Sequence, residues 1–86
     1  MVNKHLIKPF GLRIRELRVA KNISQEKLSF STGFHRTYIG MIERGERNIS
    51  LTNMAVFAKV FELSLSELFE FKVLNSLKKY KTKAQK

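Results

Sequence analysis

Helical spacing of apolar residues, punctuated by serine and glycine, is the feature that most limits what this sequence can fold into. Phe10, Ile14 and Leu17 stand at i, i+4 and i+7, with Arg13, Arg15, Glu16 and Arg18 between them. That is the stripe of an amphipathic helix, and it predicts a first helix over roughly residues 8–21, leading on to Ile23. Pro9 then falls in the first turn, where an N–H would have no partner to lose. Ser24 can N-cap a second helix over about 25–32, and Gly33 ends it with a residue that tolerates left-handed backbone. A third helix is expected over about 36–44, stopping at Gly45. Ser50 caps a fourth over about 51–61, which buries Leu51, Met54, Phe57, Ala58 and Phe61. Ser64 and Glu67 form a capping box for a fifth, starting near Leu65 and continuing to about Tyr80. No stretch keeps the two-residue alternation of a strand. The expected fold class is all-α, five short helices in one domain.

Composition narrows the function. The 86 residues permit a single domain with a small core. There is no cysteine to staple it and no aspartate. His5, His35 and seven glutamates are the available metal ligands, and no second ligand stands near His35, so neither metal nor cofactor is expected. Nucleophiles are restricted to Ser, Thr, Tyr and Lys, and the four glycines are scattered rather than gathered into a phosphate loop. No catalytic residue is assigned, and neither an enzyme nor a small-molecule site is expected. No apolar run approaches the roughly 20 residues that cross a bilayer. With no signal-like start, a cytoplasmic protein is expected.

The charge points to a partner. Seventeen Lys and Arg face seven acids, a formal +10, which favours a polyanion. The excess is uneven. Residues 78–86, KKYKTKAQK, hold five lysines and no acid, leaving 12 basic against 7 acidic residues, or +5, in 1–77. The expected organisation is a folded domain over 1–77 and a solvated basic tail over 78–86.

Gln25 to Arg44 has the layout of a helix-turn-helix. Ser29 is small where two helices would cross, and Gly33 allows the tight turn. Ile39 and Ile42 anchor one face of the second helix, while Arg36, Thr37, Gly40 and Met41 are expected on the other. Such a helix can enter a major groove N-terminal end first. An ordinary helical hairpin with a basic face would share some of these features; the net charge favours the DNA reading.

The strings FGLRIRELRVAKNISQEKLS, TGFHRTYIGMIERGERNISL and MAVFAKVFELSLSELF resemble the lambda-repressor/Cro-type, XRE-like helix-turn-helix regulators over about residues 10–70. HRTYIGMIERGERNISL is most similar to the controller proteins of restriction–modification systems, which are small dimeric activator–repressors. The resemblance implies a lambda-repressor-like DNA-binding domain and assigns roles. Gln25 would touch a phosphate at the start of the second helix. Arg36 and Thr37 would read bases, Arg36 by a fork to guanine O6 and N7. Tyr38 would lie near the backbone. Gly40 and Met41 would face base edges, and Arg44, Arg47 and Asn48 would run along the phosphates. Arg18 and Glu43 would form a partly buried ion pair. Three residues depart from the family pattern: His35 stands where Ser or Asp usually caps, Gly40 sits inside the recognition helix at a cost of roughly 1 kcal/mol relative to Ala, and Glu62 stands where Gly usually follows the fourth helix.

Assembly and function follow as expectations. Leu65, Leu68, Phe69, Val73 and Leu77 form one stripe that can face the core, whereas Phe71 and Leu74 point elsewhere. This predicts a homodimer through the fifth helix and its extension, reading a pseudo-palindromic operator in double-stranded DNA. The expected function is a transcriptional regulator, of the restriction–modification controller kind. A phage, plasmid or chromosomal repressor and an antitoxin-type autoregulator are the alternatives. A basic RNA-binding or membrane-surface module is more remote, since the tail has one aromatic residue and no amphipathic pattern.

Overall fold

A computed structural model describes residues 4–71. They form α1 Lys4–Ala20, α2 Gln25–Thr32, α3 Arg36–Glu43, α4 Leu51–Val60 and α5 Leu65–Leu68, with no strand among the described residues. The serines set the helix starts as expected. The hydroxyls of Ser24, Ser50 and Ser64 accept from the N–H groups of Lys27, Asn53 and Glu67 at 3.0, 3.1 and 3.1 Å. The Glu67 carboxylate accepts in return from the Ser64 N–H at 2.8 Å, completing the capping box.

α1 starts a turn earlier than its stripe suggested, so Pro9 lies inside the helix rather than in its first turn. Pro9 brings no N–H toward the carbonyl of His5. The added turn buries Ile7 beside Phe10, three residues on. Ile14, Leu28, Ile39, Phe57 and Leu68 are fully enclosed and draw α1 to α5 into one core. Gly11 is where α1 and α3 meet most closely. A Cβ there would run into the carbonyl oxygen of Ile42 and lie 2.9 Å from that of Glu43.

Four further expectations are corrected. Leu51, expected in the core, is 65% exposed. It is the first residue of α4, and burial along that face fades from Phe57 through half-buried Met54 to the helix start. α5 is a single turn rather than a helix running toward Tyr80. Arg13 caps the stop: its Nε donates to the Leu68 carbonyl at 3.1 Å and its Nη2 to the Glu67 carbonyl at 2.7 Å. Those are the acceptors a longer helix would have offered to residues 72 and 71. The chain instead turns, and Phe71, expected to point away from the core, packs edge-on against Phe10 at 6.2 Å between ring centroids. Phe69, expected to face the core, remains 39% exposed. Val73, Leu74, Leu77 and the basic tail lie outside the described residues.

Glu62 confirms the departure seen in the sequence. Its φ is +58°, the left-handed region, and it closes α4 while the Leu63 N–H donates to the Ala58 carbonyl at 2.8 Å. A side chain is disfavoured there, so Glu62→Gly should raise stability by about 1 kcal/mol, or roughly 4–8 °C in Tm. Thermal denaturation by circular dichroism checks this; an unchanged or lower Tm would contradict it.

Candidate nucleic-acid interface

The turn between α2 and α3 is built as the sequence required. Gly33 has φ +81°, and its N–H donates to the Ser29 carbonyl at 2.9 Å. The Thr32 hydroxyl donates to the Leu28 carbonyl at 2.9 Å and accepts from the Phe34 N–H at 3.1 Å, so the turn leaves few backbone groups to solvent. Ile39 and Ile42 are buried and fix which way α3 faces. His35 does cap α3, with its Nδ1 accepting from the Thr37 N–H at 3.0 Å. That geometry uses the neutral ring with its proton on Nε2, since a protonated Nδ1 has no lone pair to offer.

Glu43, the buried charged residue among the described residues, ties three helices together. Arg18 on α1 donates Nε to its Oε2 at 2.7 Å and Nη2 to its Oε1 at 3.1 Å. Gln25 at the head of α2 donates Nε2 to the same Oε1 at 3.0 Å. The remaining Arg18 nitrogen, Nη1, donates to the Ile23 carbonyl at 2.9 Å. The ion pair implied by the resemblance is therefore present. Gln25 belongs to it, which sequence reasoning had not given.

Arg36 and Thr37 are exposed at the start of α3, where a base-reading role needs them. Met41 is half-buried. Gly40, expected to face outward, is buried, because the side chains of Gln25 and Arg44 close over it. A Cβ on Gly40 would stand 3.2 Å from Arg44 Nη1 and 3.5 Å from Gln25 Oε1. Arg44 is gripped by Glu46, with Nε and Nη2 donating to Oε2 and Oε1, each at 3.1 Å. The hydrogen bond and the charge of Glu46 push the already high pKa of Arg44 further up. Sequence reasoning missed Glu46; its only signal is an acid two residues from Arg44 in a basic turn.

Arg47 and Tyr38 act together rather than separately. The Arg47 guanidinium lies 5.1 Å from the centre of the Tyr38 ring, a cation–π contact. Asn53 Nδ2 donates to the Tyr38 hydroxyl at 2.9 Å, and the ring stands edge-on to Phe34 at 5.2 Å. The phenol proton stays available to donate. Asn48 is exposed in the same turn. No group of His, Cys, Asp and Glu among the described residues could hold a metal.

A short helix anchored from behind, capped at its start and presenting Arg and Thr outward defines a helix-turn-helix protein. The helix-turn-helix family profile matches residues 14–68, and the chain belongs to that family. It is similar to control protein C.BamHI of Bacillus amyloliquefaciens, 41% identical over 73 residues, 84% of this chain and 90% of that protein. Among solved structures it is similar to the restriction–modification controller protein C.AhdI from Aeromonas hydrophila. There the identity is 48% and the TM-score 0.70, over 73% of this chain and 96% of that one. It is also similar to the restriction–modification controller protein C.Esp1396I, solved as a tetramer in complex with its natural 35 base-pair operator. That likeness has 32% identity and a TM-score of 0.70, over 76% of this chain and 86% of that one.

Removing one partner of the Glu43 node should be costly. Glu43→Ala leaves the Arg18 guanidinium largely buried without its carboxylate, and should lower stability by about 3–5 kcal/mol. The apolar double variant Arg18→Met, Glu43→Leu should recover most of that loss. Urea denaturation of the three proteins checks this, and a Glu43→Ala variant as stable as the parent would refute it.

Proposed function

We propose that this chain is a sequence-specific double-stranded DNA-binding transcriptional regulator of the restriction–modification controller type, working in the cytoplasm as a homodimer on a pseudo-palindromic operator. The observation that carries this reading is the outward, N-terminal position of Arg36 and Thr37 on a helix whose inner face is locked by Ile39 and Ile42. The likeness to a controller solved on its operator supports it. Regulation of this kind needs no chemistry and no cofactor: the protein occupies an operator and either blocks or recruits polymerase. No helix among the described residues is long and apolar enough to cross a membrane.

In this reading Arg36 forks onto guanine O6 and N7, and Thr37 offers a hydroxyl or a methyl to a neighbouring base. Half-buried Met41 lies at the margin of the groove. Tyr38, Arg47 and Asn48 meet phosphates, with Arg47 steadied by the Tyr38 ring. Gln25 turns its Oε1 toward Gly40 and spends Nε2 on Glu43, so its phosphate contact falls chiefly to the N–H groups at the head of α2. Arg36→Ala should lose about 1–3 kcal/mol of operator affinity and relax base preference at one position. Competitive gel shifts with operator and unrelated duplexes test this, and equal weakening on every sequence would refute it.

The dimer is proposed to form through the fifth helix and the residues after it. Supporting this, a groove of about 470 Å3 lined by Leu6, Phe10, Ile49, Met54, Phe69 and Phe71 lies open beside α5. None of the described residues covers that groove, and apolar faces of this kind mark association sites. Analytical ultracentrifugation at micromolar concentration should give the mass of two chains. A single-chain mass with and without operator DNA would refute the dimer.

A further inference from the structure

Glu46 puts a carboxylate in a turn that the proposed function brings against phosphates. Like charge opposes that approach, yet the side chain is well engaged. Its two oxygens hold Nε and Nη2 of Arg44 in a fork. The third nitrogen, Nη1, is thereby laid back over Gly40, 3.2 Å from where a Cβ would stand. Helix side chains lean toward the helix N-terminus. Residues 36, 40 and 44, spaced i, i+4, i+8, share one line on α3. The Arg44 backbone is two turns beyond Arg36, and its guanidinium, folded back over Gly40, lies on the outward stripe about one turn from Arg36. With Glu46 on the Nε side, Nη1 and the second hydrogen of Nη2 remain at the tip, the pair that matches guanine O6 and N7.

We infer that Glu46 determines specificity: it holds Arg44 over Gly40 as a second guanine reader of the recognition helix and withholds it from the phosphates. The inference rests on α3 being the DNA-reading helix. Gly40 fits the device, because a Cβ there would stand 3.2 Å from Nη1 and push the guanidinium a few tenths of an ångström from its present place. The Arg44–Glu46 pair is neutral as a unit. It adds readout without adding to the sequence-independent attraction that grows with each phosphate neutralised.

The test is selection from a pool of randomised duplexes by the full chain, by E46Q and by the double variant R44A/E46A, with salt slopes measured on the selected operator by fluorescence anisotropy. Both changes are at exposed positions, so the variants should fold. The wild-type motif should hold one guanine owed to Arg36 and another owed to Arg44. E46Q should keep the first and weaken discrimination at the second by roughly 5- to 100-fold. It should bind unrelated duplex more tightly, with a salt slope steeper by about one. R44A/E46A should lose the same second position while keeping the wild-type slope. An E46Q motif identical to the wild type, or an R44A/E46A slope flatter by about one, overturns the inference and makes Arg44 a phosphate contact. A wild type that selects no motif overturns the DNA reading of α3 and this inference with it. A motif dependent on Arg36 and indifferent to Glu46 overturns the inference alone.

Discussion

The carboxylate of Glu43, almost wholly enclosed, is the constraint on which the rest of the structure depends. An ion taken from water to such a place costs several kcal/mol unless its partners replace the solvent fully. Here they do: Arg18 from α1 and Gln25 from α2 supply three donors to its two oxygens. Apolar packing alone would hold α3 less definitely, because the hydrophobic effect is proportional to area and has no preferred direction. Ile39 and Ile42 set which side of α3 faces inward. The hydrogen bonds at Glu43, which need both distance and angle, set where along its axis α3 stops. Gly11 belongs to the same constraint, since only a residue without a side chain lets α1 lie against the last turn of α3.

The outward face of α3 inherits its order from that node. Gln25 reaches Glu43 by crossing over Gly40, so one side chain both braces the core and covers the recognition helix. Arg44 follows Glu43 directly and enters the turn, where Glu46 holds it. Arg47 comes next and rests on Tyr38, whose hydroxyl is held in turn by Asn53 of α4. Each outward cation beyond Arg36 thus has a neighbour that limits its freedom. Groups ordered before binding lose less side-chain entropy on binding, roughly 0.5–1.5 kcal/mol for each long side chain.

The fold was legible in the sequence where a local rule decides. The serine caps, the Gly33 turn and the α3 anchors each depend on a few neighbouring residues, and each appears as read. It was less legible where a distant group intervenes. Nothing local to Leu65 and Leu68 says that Arg13, 55 residues away from Leu68, takes the carbonyls on which a longer α5 would build. Gly40 reads as an outward position by periodicity alone; its burial comes from long side chains before and after it, which periodicity does not register. Leu51 has the right spacing for the core and the wrong position, at the end of a helix whose face has already left it. In the candidate site, the exposed placement of Arg36 and Thr37 at the start of α3 was legible from the motif. The pairing of Arg47 with Tyr38 and of Arg44 with Glu46 was not, since both depend on the shape of the turn after α3.

Net charge takes on a different meaning in this light. A sum of +10 describes attraction to any polyanion, and five of the lysines behind it fall in residues 78–86. On α3 and its turn the cations are instead few and individually constrained: Arg44 is matched by Glu46, Arg47 lies over a ring, and Arg36 extends from the start of the helix. Long-range attraction brings a protein to DNA and is screened beyond about 10 Å at 0.1 M salt. Discrimination between sequences arises at hydrogen-bond distance, where an unmatched base leaves a positioned donor without a partner. If Glu46 acts as inferred, an acid in that turn lowers the first quantity slightly and sharpens the second. A single carboxylate beside α3 is thus consistent with a chain whose formal charge is +10.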